Sequence, residues 1–263
     1  MAYRNEAASP QALEALEAAL PTGVLENPAK VIDYFEVTRP LLPEAGLAHD
    51  VPFDGIYGDL TQKVKHGLDI GVFTQPQAAS RAVPTFYDYY RTQLTEHAKG
   101  NPGGVNPVWQ PLFYHPAAKR APRGIQFLLG MNAHINYDLA QALRDTQADN
   151  SYYHDFEIIV GDMIDATARE ISSAYIPGPS RLRDKLTALT ISRIAMWRER
   201  AWNSGMYLQE VQNDPAATAA ELKRMERFTL TNSRLILHGG SLALDALGIS
   251  DHIKSKVVQP NKA

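Results

Sequence analysis

The sequence predicts an all-α fold, a single domain over residues 1–263 in which about seven or eight helices surround a buried central helix at 124–146. Three observations carry this reading. Apolar residues recur at helical spacing over long segments. Helix start signals, a capping residue followed by proline, repeat at Ser9-Pro10 and Asn27-Pro28. Alternating Val/Ile/Thr runs joined by hairpin turns are scarce.

Taken in order, Ser9-Pro10 opens a helix to about Leu20, where Pro21 and Gly23 stop it. Asn27-Pro28 opens a second through Val37, ended by Arg39-Pro40. A loop rich in proline and glycine follows from Leu41 to Pro52, then a helix from about Gly55 to Ile70. Pro76 begins another to about His97, with Pro84 as a kink or as its true start. Residues 99–123 read as irregular, and a segment this long is expected to be functional or mobile. Its aromatics suit a lid over a site. In the central helix, Leu128, Ile135, Leu139 and Ala142 recur at helical spacing, and further apolar residues surround the cylinder. Asn150-Ser151 caps a helix from Tyr152 to about Ile176, and Ser180 caps the next to about Val211. The last runs from Pro215 to about Leu247, loosened at Gly239-Gly240.

The composition is 44% hydrophobic and 21% charged, with a net charge of −3. Basic residues do not gather on one segment, which argues against nucleic acid as a partner. The chain has no cysteine, so thiolate metal sites and a cysteine nucleophile are excluded. The first residues carry no continuous apolar core of a secretion signal, and no apolar run is long enough to span a membrane, so a cytoplasmic location is expected. No phosphate loop or dinucleotide fingerprint occurs, and no nucleotide cofactor is expected. A small-molecule substrate is the expected partner.

The candidate chemistry lies in the central helix. His134 and Asp138 are four residues apart and share a face, as do Asn132 and Asn136. Polar side chains on a buried helix need partners or a metal. The His/Asp pair suits a divalent cation (zinc, manganese or iron), and equally a general base oriented by an acid. His154 and Asp162 on the following helix are candidates to complete a metal shell. His238 is a further acid/base candidate, and Arg234 one turn before it offers an anion-binding group. Trp109 and Tyr114 from the aromatic loop, and Trp197, are candidate substrate contacts.

The run Phe127-Leu128-Leu129-Gly130-Met131-Asn132-Ala133-His134-Ile135-Asn136-Tyr137-Asp138-Leu139 resembles the signature of an uncharacterised bacterial and fungal family, a domain of unknown function. The likeness extends to the Trp197/Trp202 helix and to His238-Gly239-Gly240. The same helix looks distantly like the zinc helix of the phospholipase C and P1-type nuclease superfamily, an all-α group with a buried His-x-x-x-Asp pair. That likeness implies His134 and Asp138 as metal ligands. Here Leu139-Ala140-Gln141-Ala142 stands where that group continues toward a proline and a histidine, so one or two metals are what it implies.

Three functions are therefore expected of the polar core. The first is a metal-dependent hydrolase of an ester or phosphoester, with a metal-bound water as nucleophile. The second is an isomerase, lyase or cyclase acting on an apolar small molecule, with His134 as acid/base, Asp138 as its orienter and Asn132 or Asn136 as oxyanion donors. The third is a non-catalytic small-molecule-binding protein.

Overall fold

Capping chemistry sets the first two helices. The computed structural model describes residues 8–165 and 180–246, the latter with backbone only at 180–183, 185–187, 189–190 and 240–246. Helix α1 (Pro10–Ala19) begins where the Ser9 side chain accepts the Ala12 N–H at 3.1 Å. Helix α2 (Pro28–Thr38) begins where Asn27 accepts the Lys30 N–H at 3.2 Å. Each bond satisfies one of the N–H groups that a helix start leaves open. A short 3-10 turn (Arg39–Leu41) and a wide turn (Pro43–Leu47) follow, the latter containing Gly46 at φ 79°. Only glycine adopts that conformation without steric cost.

Helix α3 (Val51–Asp69) starts earlier than its sequence suggests, because Pro52 fits a first helical turn. Helix α4 (Pro76–Ala98) continues through Pro84. Two short helices, α5 (Gln110–Phe113) and α6 (Pro116–Arg120), lead into the central helix. It consists of α7 (Arg123–Ala133), a π-helical turn at His134–Asp138, and α8 (Leu139–Asp145). Helix α9 (Tyr153–Glu157) passes into a second π-helical stretch at Ile158–Met163. The rest of the helix expected to Ile176 falls outside the described residues beyond Asp165. Helices α10 (Ser180–Glu210) and α11 (Pro215–Ala246) complete the array. The last does not loosen at Gly239-Gly240, where its backbone stays helical.

The fold is all-α, and the described residues form no strand. None of their helices is long and apolar enough to cross a membrane. One cluster of buried apolar residues runs from Leu16 in α1 to Met225 in α11, and the central helix is its axis. Every residue from 129 to 143 is buried. Two glycines let neighbours approach it. A Cβ on Gly205 of α10 would stand 2.9 Å from Leu143 Cβ and 3.0 Å from the Ala140 carbonyl. A Cβ on Gly130 would stand 2.6 Å from Phe53 Cβ in α3. Gly130→Ala improves helix propensity by up to about 1 kcal/mol but forces Phe53 out of place, an overpacking cost of about 1–3 kcal/mol. Urea unfolding is expected to show a net loss of stability in this variant, with the aromatic cluster around Phe53 perturbed in near-ultraviolet dichroism.

The segment 99–123, expected to be irregular, carries two short helices. Trp109, Leu112 and Phe113 are buried in the core, and α5 and α6 fold this stretch against α7. Trp109 packs against Phe53, Tyr90 and His134 beside the central helix.

Candidate active site

The π-helical turn places the two central polar groups. The Leu139 N–H bonds to the carbonyl of His134, five residues back. Such wide turns sit frequently at functional sites, because the extra residue re-aims the side chains on either side. His134 and Asp138 are 2% and 1% exposed. His134 Nδ1 lies 2.9 Å from Asp138 Oδ2, and the Trp109 indole N–H donates to the same oxygen at 3.0 Å. Burial pushes the Asp138 carboxyl well above the usual carboxylate range, against the pull of the Trp109 bond. Burial likewise pushes the His134 imidazole well below its ordinary value. Both shifts oppose isolated charge, so the pair is held at net charge zero. One proton then occupies the Oδ2–Nδ1 contact, and the second imidazole hydrogen sits on Nε2.

That Nε2 has no hydrogen-bond partner. Phe86 stacks on the imidazole at 3.5 Å between ring centroids, 8° from parallel. Tyr57 meets it edge-on at 4.6 Å, and Phe53 and Trp109 do so at 5.5 and 5.8 Å. His134 also lines a cavity of about 60 Å³ walled mainly by apolar side chains of α3, α4, the central helix and the α9 region, among them Leu60, Val64, Met131 and Ile159. The Tyr57 side chain lines the same cavity, and its hydroxyl is buried without a partner. Burial, then the neighbouring Tyr87, Asp138 and Asp88, push that phenol well up, so it stays a hydrogen-bond donor.

The other expected residues distribute differently. Asn132 and Asn136 do pair, Asn136 Nδ2 donating to Asn132 Oδ1 at 3.0 Å. Asn132 Nδ2 in turn donates to the Thr229 carbonyl and to Ser233 Oγ, both at 2.9 Å. With both amide hydrogens used, Asn132 clasps α11 rather than offering a donor to an oxyanion. Neither asparagine lines the cavity of His134. Tyr114, Arg234 and His238 come together in a separate outer groove. Trp197 is buried on α10 and Trp109 in the core, and neither lines cavity or groove.

The four-residue metal set is not assembled. His154 and Asp162 are exposed, whereas His134 and Asp138 are buried. Among the described residues, no three His, Asp or Glu side chains are grouped to hold a metal ion. The π-helical winding at Ile158–Met163 shifts the helical phase, so spacing that suggested an inward Asp162 does not hold. Two arginines of α10 are engaged elsewhere: Arg198 pairs with Glu157 at 3.4 Å and Arg200 lies over Phe228. Asp155, by contrast, caps α4, accepting from the Thr74 and Gln75 N–H groups.

Sequence reasoning missed a second buried polar group. Asp50 and Asp54, both fully buried, share the Tyr90 hydroxyl, which donates to Asp50 and lies 3.4 Å from Asp54 Oδ2. Arg39 Nε donates to Asp54 Oδ1 at 2.7 Å. Burial raises Asp54 to about 6 despite Arg39, and pushes Asp50 well up. The signal was present: Asp50 and Asp54 are four residues apart, as His134 and Asp138 are, but the first sits in a stretch that reads as loop. Tyr57 was legible as well, one turn before Leu60 and Thr61 on the inward stripe of α3.

Comparison with protein families matches residues 41–239 to a family of unknown function, DUF5995. The chain belongs to that family. The matched span takes in α3, α4, the whole central helix and α11 as far as Gly239. No curated protein and no solved structure matches the chain.

Proposed function

We propose that this member of DUF5995 is an acid–base enzyme of isomerase type, which shifts a proton on a small, largely apolar molecule bearing one oxygen function. The observation that supports it most directly is that His134 lines an apolar cavity with its Nε2 buried and unpartnered while its Nδ1 is held by Asp138. An unpaired buried polar atom costs about 1–3 kcal/mol, and a substrate group that completes its bonding recovers that cost. In the proposed reaction Nε2–H gives its proton to one position of the substrate and takes a proton from another. The atoms balance without a second reactant. As Nε2 gives up its proton, Nδ1 takes the shared proton from Asp138, and the carboxylate left behind balances the protonated substrate until a proton returns to Nε2. The Tyr57 hydroxyl donates to the substrate oxygen and orients it. The resting cavity of about 60 Å³ is smaller than the roughly 150 Å³ that holds a benzene, so a guest enters as side chains such as Met131 move.

The metal-dependent hydrolase reading, and the zinc-helix likeness behind it, ask for further donors around His134 and Asp138. Oδ2 of Asp138 is already shared by two donors, and His154 and Asp162 face solvent. Among the described residues, none completes a metal shell around His134 and Asp138.

The test is isotope exchange. A panel of five- to eight-carbon ketones and β,γ-unsaturated ketones is incubated with the protein in D2O, and deuterium incorporation is followed by NMR. The wild type is expected to speed exchange into at least one compound, and His134→Gln to lose at least about 100-fold of that rate with unchanged helicity. Equal exchange by the wild type and His134→Gln, or none by the wild type across the panel, would sink this reading.

A further inference from the structure

The outer groove has a volume of about 670 Å³ and shares no lining residue with the cavity of His134. One wall is a single face of α11, where Leu230, Ser233, Arg234, Leu237 and His238 follow at helical spacing. The opposite wall is the α5–α6 segment with Pro107, Pro111 and Pro116, together with Tyr114 and His115. No Asp or Glu among the described residues lines it. Arg234 and His238 are exposed, and neither has a hydrogen bond or ion pair among the described residues. His115 Nδ1 accepts the Ala117 N–H at 3.2 Å, which leaves Nε2 to carry the ring hydrogen. Tyr114 is already engaged with His97 Nδ1 at 3.2 Å. Ser233, buried at the floor, accepts from Asn132 and ties this face to the central helix.

A second observation comes from Gly239, next to His238. Glycine inside a helix costs about 1 kcal/mol relative to alanine, a cost normally explained by close packing. A Cβ on Gly239 meets no described residue within 4 Å, so close packing against the described residues does not explain it.

We propose that this groove is a binding site for a small amphipathic carboxylate. Arg234 takes the carboxylate, whose planar geometry its guanidinium matches. His115 and His238 add donors, and the alkyl body lies against Leu230, Leu237 and the three prolines. The described lining holds no carboxylate that would repel an acid.

Isothermal titration of the full chain with sodium octanoate tests the site, with octan-1-ol as the uncharged counterpart. Two variants accompany it: Arg234→Gln in the groove, and Ala82→Phe, which fills the inner cavity. Saturable octanoate binding is expected, at least about tenfold weaker in Arg234→Gln and unchanged in Ala82→Phe. Octan-1-ol should bind at least about tenfold more weakly than octanoate. No saturable heat, octanoate binding unaffected by Arg234→Gln, equal binding of acid and alcohol, or loss confined to Ala82→Phe would each overturn the proposal. None of these outcomes bears on proton exchange at His134.

Discussion

Asp138→Ala is expected to lower the unfolding free energy by about 3–5 kcal/mol, whereas Asp138→Asn costs only about 1–2 kcal/mol. Oδ2 of Asp138 serves both the Trp109 indole N–H and His134 Nδ1, and all three side chains are buried. Alanine leaves both partners unsatisfied at about 1–3 kcal/mol each, and adds a cavity in the middle of the helical array. A loss of that size is a large share of the stability of an ordinary domain. Asparagine keeps the volume, and its oxygen can accept from both the Trp109 indole N–H and His134 Nδ1–H, but it has no proton to share with the imidazole. Asp138→Asn should therefore fold and yet lose deuterium exchange by about 100-fold or more. Urea unfolding of both variants, beside the exchange assay, separates the two effects. Equal stability of Asp138→Ala and the wild type would mean that the Trp109–Asp138–His134 chain does not hold the core together.

How legible all this was in the sequence depends on distance along the chain. Helix starts are local events, so Ser9-Pro10 and Asn27-Pro28 were readable without any tertiary knowledge, and the bonds from Ser9 and Asn27 form as their residue types require. The pairing of His134 with Asp138 and of Asn132 with Asn136 was readable for the same reason, since four-residue spacing is intrahelical. What Asn132 does with its amide was not. Its partners Thr229 and Ser233 lie about a hundred positions away, and helix packing alone brings them near. The burial of Trp109 was misread for a similar reason. Proline and glycine around it mark irregular backbone, but they do not say whether that backbone covers the core or enters it. Asp162 failed through local geometry, because a π-helical stretch breaks the periodicity on which facing arguments rest.

Acid titration should expose two buried groups with opposite signs. The His49 ring donates from Nε2 to the Phe113 carbonyl at 3.0 Å, and its Nδ1 has no partner. Burial, with Lys119 and His97 adding repulsion, lowers it from 6.5 to about 4. Below pH 6.5 the unfolded chain takes up this proton and the folded protein does not, so stability falls progressively until about pH 4. The full effect is about 3 kcal/mol. Asp54 behaves conversely, because burial raises it from 3.8 to about 6 in the company of Arg39, Tyr90 and Asp50. Its contribution is fully present below pH 3.8 and is lost as the pH rises through 6, again about 3 kcal/mol. Other buried groups titrate in the same window, so the informative quantity is the difference between each variant and the wild type. Between pH 6.5 and 4, His49→Gln should gain about 3 kcal/mol relative to the wild type, and Asp54→Asn should lose about as much. Urea unfolding at half-unit pH steps measures both profiles. Difference profiles that run parallel would show that the two groups are not held apart in charge, and that the Asp50–Tyr90–Asp54 cluster is reached by solvent.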